Sequence, residues 1–545
     1  MSSEIAGAKN SITILARLTR RRPEQIEKIQ MAMRGRLNRL AIIAIEVAIE
    51  TNEAVATALR NEIRATPDPQ LAKRIYDHVP EETMALRELA VESLYQHLAT
   101  VKTQFEAAVR ASARVAATRK ETTLRTNALQ YAVLLSELGN RLSDVGRYRE
   151  ACASAERSVR LARRFARRGR RSLETLAMCL NNLSGILAEL GSYRRAADCS
   201  TEAIAIYRNL ARRGPAYLRA DLAMAYSNLA IRLANLGDYR GALAAGLRTV
   251  RGYRKLSELD PATYRSDLAM ALNNLSERLT ALERPDEALA AALESVALCE
   301  ILSDRDRDAF EPDLAMSLSS LAIRLGDAGE DDEALVAVER AVEIYRRLHE
   351  AQPKAFGVFL AACLNNLAVR QRSKGRHLEA LQSAEQSVSL RRLLFAENED
   401  GYRPDLAQSL MTLAVTLGDL ERHEDALNAD IEATSHYRFL VRSRPRAFHH
   451  YLANSLNNLG LTLGALGRYD EAVSILREAV ARERRIARSK RRQIIEDPVP
   501  ALRNLAATLA DAGRSREAAS VIEKIRRHLS NVTPSAVNLT AHVAP

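Results

Sequence analysis

The sequence predicts an all-α fold, and within that class an α-solenoid, from three observations. Tryptophan is absent, aromatic residues make up only 4% of the chain, and Ala, Leu and Arg dominate, which favours helices over sheets. A segment of 46 residues recurs along most of the chain. Within each copy the apolar residues follow a helical spacing. One such helical hairpin cannot bury its apolar face alone, whereas stacked copies can.

The repeat is clearest in the first helix of each copy, where LAMCLNNL and its variants return at steps of 46 residues. These in-register copies begin at Leu176, Leu222, Leu268, Leu314, Leu360, Leu406 and Leu452. One more copy lies around Leu502, and a divergent copy, one residue out of register, surrounds Leu138. We therefore expect nine copies and a solenoid over residues 126–529.

The first helix of a copy is amphipathic. In the second in-register copy its apolar residues step alternately by four and three, and they are Leu222, Tyr226, Leu229, Leu233 and Leu236. Asp221 precedes this stripe, and Asp267, Asp313, Asp405 and Asp497 fill the same position, so we expect an N-cap there. We expect the helix to end at Gly237, because glycine adopts the left-handed conformation that terminates helices.

The second helix is expected from about Tyr239 to Glu258, with Pro261 marking the turn to the next copy. One of its positions is always alanine, in Ala196, Ala242, Ala288, Ala334, Ala380, Ala426, Ala472 and Ala518. A position that is always small, opposite positions that are large, predicts a close approach of two helices.

The run NNLGLTLGALGRYDEAVSILREAV, from Asn457 to Val480, resembles the tetratricopeptide repeat. The paired asparagines and the long repeat are most similar to the kinesin-light-chain type and to long-repeat proteins of bacteria and fungi. The resemblance implies a right-handed superhelix of helical hairpins that binds a protein or peptide partner in its concave groove. One departure is that arginine replaces the proline that closes the second helix, at Arg208, Arg254, Arg346 and Arg438.

An asparagine column lies inside the first helices, where asparagine is unfavourable and its repeated use needs a reason. Its members include Asn182, Asn228, Asn274, Asn366 and Asn458. In one interpretation these amides bond the backbone of the neighbouring repeat and fix the stacking. In the other, by resemblance to kinesin light chain, they grip the backbone of a bound peptide. The two interpretations are compatible.

An arginine column lies four residues further along the same helices, and thus on the same stripe. It consists of Arg232, Arg278, Arg324 and Arg370. These side chains either pair internally, as Arg324 would with Asp327, or face an acidic partner.

The formal net charge of +12 is concentrated in two basic segments, residues 160–171 and 482–492. They include Arg163, Arg164, Arg167, Arg168, Arg485 and Arg488. Such clusters indicate an acidic partner, or alternatively nucleic acid or another polyanion. The scarcity of aromatic residues disfavours the stacking of bases.

Catalytic motifs such as GxxxxGK[ST], HExxH and GxSxG are absent, as are CxxC pairs among the five cysteines. We therefore predict a non-enzymatic scaffold or adaptor without catalytic residues, metal or cofactor. The alternative is a sensor arm for a separately encoded effector enzyme. Without a signal peptide or an apolar run of about 18–20 residues, the chain is expected to be cytoplasmic.

The two ends do not follow the repeat. Residues 1–120 predict a helical region that either caps the solenoid or forms a separate interaction module. Residues 530–545 are polar and unpatterned, and we expect them to be disordered.

Overall fold

The computed structural model of the chain describes residues 53–65, 68–77, 84–112, 118–166, 169–443, 445–489 and 499–532. Over these ranges the chain forms 21 α-helices and no strand, which confirms the predicted all-α solenoid. The contacts divide the chain into two compact units, Met1–Leu298 and Cys299–Pro545. Most of the tail predicted to be disordered lies outside the described residues.

Three helices precede the repeats: α1 (Glu53–Ala65), α2 (Pro69–Tyr76) and α3 (Met84–Ser112). Helices α1 and α2 pack on α3, and α3 packs on α4, the first helix of the first repeat. Val91 and Leu94 of α3 share a buried core with Tyr131 and Leu135 of α4. The first repeat therefore has a packed neighbour on its N-terminal side, as the capping interpretation requires.

The first unit continues with alternating first and second helices. These are α4 (Thr118–Asp144), α5 (Tyr148–Phe165), α6 (Arg170–Glu189), α7 (Tyr193–Ala211), α8 (Ala216–Asn235), α9 (Tyr239–Leu259), α10 (Pro261–Thr280) and α11 (Pro285–Ser303). Leu268, Leu272 and Leu275 of α10 are buried, so the apolar stripe faces the core as its spacing predicts.

The second unit continues the same alternation. Its helices are α12 (Arg307–Asp327), α13 (Asp331–Ala351), α14 (Pro353–Ser373), α15 (His377–Glu397), α16 (Glu399–Asp419), α17 (His423–Ser443), α18 (Pro445–Ala465), α19 (Tyr469–Ser489), α20 (Val499–Asp511) and α21 (Ser515–Val532). In both units the described first helices also contact following first helices, for example α6 with α8 and α14 with α16.

The invariant alanines are buried, as predicted for a close helix contact. The exposed fraction is 0% in seven of them and 5% in Ala518. The predicted glycine turns are also present, with φ of 80° at Gly237 and 83° at Gly329. Glu283 (φ 56°) and Glu421 (φ 59°) occupy the same turn position without glycine's conformational freedom.

The predicted N-cap is wrong at Asp221, Asp267, Asp313 and Asp405, because these first helices begin about one and a half turns earlier. Asp497 lies outside the described residues. Helix α8 begins at Ala216 and α10 at Pro261, so Asp221 and Asp267 lie inside helices. The cap of α10 is Asp260, whose carboxylate accepts a hydrogen bond from the backbone N–H of Thr263 at 3.2 Å. Pro261 opens the helix instead of marking a turn, because its fixed φ and missing N–H suit the first helical position.

The first-helix position that holds Asp221 and its equivalents contacts a residue of the preceding second helix, fourteen positions earlier in the chain. In one copy Arg391 of α15 donates to Asp405 of α16 at 2.9 Å. In another copy Phe359 stacks on Tyr345 with the ring centroids 5.6 Å apart. Tyr451 and Tyr437 repeat this stacking at 5.7 Å. The two positions thus form one contact between successive hairpins, which is met by an ion pair or by aromatic stacking.

Candidate binding surface

The asparagine column joins neighbouring first helices through side chains. Asn228 of α8 donates through Nδ2 to Oδ1 of Asn181 in α6 at 2.9 Å. Asn366 donates to Ser319 Oγ at 3.1 Å. The acceptor in each case is a side chain, so the interpretation that these amides bond the neighbouring backbone is wrong. Their role in fixing the stacking remains.

The rule behind these bonds explains the paired asparagines of the repeat. The second asparagine of one copy donates to the position of the first asparagine in the preceding copy. Asn504 does so to Asn457 at 2.9 Å, and Asn182 to Ser136 at 3.0 Å in the divergent first copy. Ser227 stands at the acceptor position for Asn274, whereas Met411, whose thioether is a poor acceptor, stands at that position for Asn458.

Every member of the asparagine column, which we also call the amide column, is half-buried. In Asn182, Asn228 and Asn366, Nδ2 makes the bond to the preceding repeat, and Oδ1 has no hydrogen-bond partner among the described residues. Each of these side chains therefore retains an acceptor that a bound chain can use.

The arginine column is largely buried and pairs within the molecule. Arg324 lies 3.6 Å from the Asp327 carboxylate, as the internal-pairing interpretation predicts, and Arg278 lies 3.6 Å from Glu277. Arg370 lies 3.7 Å from Asp331. At these separations the pairs are electrostatic and lack the short geometry of a charge-assisted hydrogen bond.

The local surroundings set the pKa of one member of the arginine column, Arg232, and the space available to another, Arg370. Burial lowers the pKa of the Arg232 guanidinium, and the Glu189 carboxylate partly offsets this effect. The guanidinium of Arg370 lies over Gly326 of the preceding first helix, where a Cβ atom would overlap it. Glycine at residue 326 therefore makes room for the buried position of Arg370.

Threonine replaces arginine in the last three copies of this column, at Thr416, Thr462 and Thr508. Thr462 donates to Oδ2 of Asp430 in α17 at 2.7 Å, and Oδ1 of that carboxyl is buried without a partner among the described residues. Burial raises the pKa of Asp430 to about 7, while the hydrogen bond from Thr462 opposes this shift. The sequence analysis missed Asp430 because no other copy has an acid at its position.

A ladder of hydrogen bonds, most of them ion pairs, joins successive second helices and gives a role to Arg254, Arg346 and Arg438, three of the four arginines that replace the family's proline. Arg254 donates to Glu294 at 2.7 Å, and Arg438 donates to Glu478 at 2.9 Å. The donors Arg254, Arg346, Arg392 and Arg438 each bond the residue 40 positions later, and the acceptors are Glu294, Gln386, Glu432 and Glu478. A search of the sequence for opposite charges at this spacing would have found the ladder.

The first basic segment is divided between two helices. Arg163 of α5 donates to Glu202 at 2.8 Å, and Arg160 lies 3.6 Å from Glu156. Arg170 and Arg171 begin α6, and Arg170 pairs with Glu174. Arg164 is exposed. Arg167 and Arg168, and the side chains of Arg485 and Arg488, lie outside the described residues.

The cysteines offer no activated thiol. All five are free, and burial raises the pKa of the Cys363 thiol to about 11, so it stays protonated at neutral pH. Within the described ranges no three His, Cys, Asp or Glu side chains come together as a metal site. None of the described helices is long and apolar enough to span a bilayer.

Six repeats match the model of the tetratricopeptide repeat family, at residues 176–211, 222–261, 268–307, 314–353, 360–398 and 452–487. The match confirms the resemblance seen in the sequence. A search of curated proteins finds no match.

Solved structures with a similar fold include BtubC from P. vanneervenii, which is 23% identical over 45% of this chain and 90% of its own, with a TM-score of 0.38. The nearly identical TPR-like repeats of a Podosopora anserina kinesin light chain are 23% identical over 41% of this chain and 98% of their own, with a TM-score of 0.34. A Rap protein complexed with competence and sporulation factor is 13% identical over 73% and 97%, with a TM-score of 0.42.

Proposed function

We propose that this chain, which belongs to the tetratricopeptide repeat proteins, is a non-enzymatic scaffold that binds a protein or peptide segment along its first helices. The observation that carries the proposal is the amide column. Asn182, Asn228 and Asn366 donate one N–H to the preceding repeat and keep an acceptor oxygen unused among the described residues. The same side chains therefore set the repeat spacing and offer acceptors to the backbone N–H groups of a bound chain.

The spacing of the column suits an extended ligand. Packed helices lie about 8–10 Å apart, and an extended chain advances about 3.3 Å per residue. Each repeat would then meet about every third residue of the ligand. Asparagine side chains that bind only the backbone of the ligand do not select its sequence. Contacts with the side chains of the ligand must therefore supply the specificity.

The arginine column supports an acidic ligand. Arg278 and Arg370 have carboxylates 3.6 and 3.7 Å away, which leaves room for a closer, hydrogen-bonded carboxylate from a partner. The planar guanidinium can hold such a carboxylate through two parallel hydrogen bonds. The first basic segment favours this function over nucleic-acid binding, because Arg160, Arg163 and Arg170 already pair with carboxylates of the chain.

We place the scaffold in the cytoplasm as part of the same proposal. Five cysteines, all free of disulfide bonds, support a reducing compartment.

Photo-crosslinking tests the proposed function. Benzoylphenylalanine replaces Asn458 on first helix α18 in one variant and the exposed Ser474 on second helix α19 in a matched control. We expect a discrete partner from a lysate of the source cells to crosslink through residue 458 and not through residue 474. Crosslinking through residue 474 alone would contradict the proposal.

A triple variant tests the arginine column. Arg278→Gln, Arg324→Gln and Arg370→Gln together should weaken capture of that partner several-fold while the unfolding temperature is kept. A lower unfolding temperature with unchanged capture would assign these arginines a purely structural role.

A further inference from the structure

A groove at the N-terminal end of α6 carries residues that the proposed function does not use. It lies between the first half of α4 and the first turn of α6. It encloses about 570 Å³, a volume within the usual range of small-molecule sites. Arg125, Arg170 and Arg171 line it, and none of its described lining residues is acidic. The groove therefore attracts anions.

The start of α6 supplies backbone donors to this groove. Gly169 is the N-cap of the helix, and no side chain caps it. The backbone N–H groups of Ser172 and Leu173 bond the Gly169 carbonyl at 3.2 and 3.3 Å. The N–H groups of Arg170 and Arg171 have no partner among the described residues. Two unpaired N–H groups at the positive end of the helix dipole suit an anion.

A buried hydroxyl is a second and independent indication of a ligand. Ser172 lines the groove and is only 2% exposed, yet its Oγ has no hydrogen-bond partner among the described residues. A buried hydroxyl without a partner destabilises a fold, and a ligand that accepts its hydrogen bond removes this cost. The Oγ atom is not one of those that the described residues enclose completely, so a ligand in the groove can reach it.

Guanidinium groups border the same place. Arg125 Nη1 lies 4.0 Å from the point where a Cβ atom on Gly169 would stand, so glycine keeps open the space between this guanidinium and the helix start. The side chain of Arg171 is exposed and forms no ion pair with the described residues. Arg170 contributes less, because Glu174 pairs with it at 2.7 Å. Arg171 is therefore the cation most available to a ligand.

This set of donors fits a phosphate group better than a carboxylate. A phosphate monoester carries a charge of about −1.5 to −2 and three strong acceptor oxygens, whereas a carboxylate carries one charge and two oxygens. The guanidinium of Arg125 belongs to α4, and the backbone N–H groups and the Ser172 hydroxyl belong to α6, so donors surround the anion. Val133, which is 38% exposed, adds an apolar wall for an organic group attached to the phosphate.

The donor set belongs to one joint and does not recur in the next copy. Ala216, Tyr217 and Leu218 stand in the following first helix where α6 has Arg170, Arg171 and Ser172. A long ligand that follows the repeats would meet these donors only once. The confinement of the site therefore favours a small ligand.

We propose that this groove binds a small phosphorylated metabolite, with its phosphate at the N-terminus of α6 and its organic part against Val133. Ser172 Oγ, the N–H groups of Arg170 and Arg171, and the Arg125 and Arg171 guanidinium groups hold the phosphate. The inference goes beyond the proposed scaffold function and does not rest on it.

Isothermal titration calorimetry with the full chain tests the ligand class. The probes are AMP, adenosine, inorganic phosphate and a pentapeptide with one phosphoserine between alanines. We expect AMP to bind, inorganic phosphate to bind about tenfold or more weakly, and adenosine not to bind. The phosphopeptide should bind more weakly than AMP, because it has no large group for the apolar wall.

The other outcomes would overturn the proposal in different ways. Absence of AMP binding, or equal binding of adenosine, would show that the groove holds no phosphate. Equal affinity for AMP and inorganic phosphate would assign the groove to free phosphate. Tighter binding of the phosphopeptide would assign it to a phosphorylated protein.

Two arginine variants test the place of binding. Arg171→Gln and Arg194→Gln each remove one exposed arginine. Arg194 is the matched control, because it lies in the first turn of α7, at the other end of α6, which is about 30 Å long. Arg171→Gln should weaken AMP binding about tenfold, and Arg194→Gln by less than about twofold. Equal effects would show that net charge alone attracts the ligand and would overturn the groove as the site.

Ser172→Ala separates binding from folding. The change removes a buried hydroxyl that has no partner among the described residues, so the unfolding temperature without ligand should stay the same or rise. The affinity for AMP should fall several-fold, because the phosphate loses one donor. Unchanged affinity would overturn the placement of the phosphate beside Ser172.

Discussion

Arg340 donates to the Glu300 carboxylate at 3.0 Å, and this pair repeats the contact between Arg254 and Glu294 with its two charges exchanged. Glu300 stands one repeat after Arg254, and Arg340 stands one repeat after Glu294. The helix geometry that brings the two positions together is thus independent of which one carries the cation.

Exchanging the charges of the Arg254–Glu294 pair should be tolerated for the same reason. Arg254→Glu or Glu294→Arg alone places like charges together, and each should lower the free energy of unfolding by up to about 1 kcal/mol. The double variant should recover most of the loss, as measured by urea denaturation. Additive losses in the double variant would show that the side chains act independently.

The contribution of the amide column to stability can be tested with a control from the same chain, because Asn458 lacks the acceptor that Asn228 has. Asn228→Ala removes the donor to the buried Asn181 oxygen, and the unfolding free energy should fall by about 1–3 kcal/mol. Asn458→Ala should cost less, since Met411 stands at its acceptor position. Thermal unfolding of the two variants checks this order. Equal costs would mean that the inter-repeat bond adds nothing to stability.

Glu283 holds a left-handed conformation, with φ of 56°, in a turn where other copies have glycine. Glu283→Gly should raise the unfolding free energy by roughly 0.5–1 kcal/mol, because a side chain is strained in this conformation. The reverse change, Gly329→Ala, should lower it by a similar amount, roughly 1 kcal/mol. A destabilised Glu283→Gly variant would indicate that the side chain at residue 283 contributes a contact that outweighs the strain.

Asp430 predicts an unusual dependence of stability on pH. Its folded-state pKa is about 7, raised by burial, whereas an unfolded aspartate titrates near 3.9. Between these values the folded state retains the proton and the unfolded state has lost it, so this group's contribution to stability falls as the pH rises from about 4 to 7. Above about pH 7 the loss is complete.

Asp430→Asn should remove this dependence, because an amide carbonyl can still accept the hydrogen bond from Thr462. The variant should be more stable than the unaltered chain at pH 8, by an amount on the order of a few kcal/mol, and close to it at pH 4. Urea denaturation at the two pH values measures the difference. Parallel pH profiles for the two proteins would show that Asp430 is ionised at little cost in the folded state.

The helices and their buried faces could be predicted from the sequence, because the apolar spacing and the invariant alanines follow from local geometry. The ends of the first helices could be predicted from the glycine positions for the same reason. The helix starts could not be predicted in the same way, because Asp260 and Asp267 are both residues that can cap a helix and the packing of the inter-repeat contact decides between them. Asp267 lies half-buried inside α10, whereas Asp260 caps that helix.

The candidate site was only partly predictable. The amide and arginine columns are visible as repeated residues, but their partners depend on how one hairpin stacks on the next. The acceptor of Asn228 is therefore a side chain rather than the expected backbone.

The second-helix ladder also makes the copies non-interchangeable, although they share one length and one fold. If residues 268–313 were excised, Arg254 would meet Arg340 instead of Glu294, and two cations would face each other. If residues 360–405 were excised, Arg346 would meet Glu432, an oppositely charged partner. Loss or duplication of a copy during evolution is thus acceptable at some joints and penalised at others, so the order of the repeats is itself encoded in the charges between them.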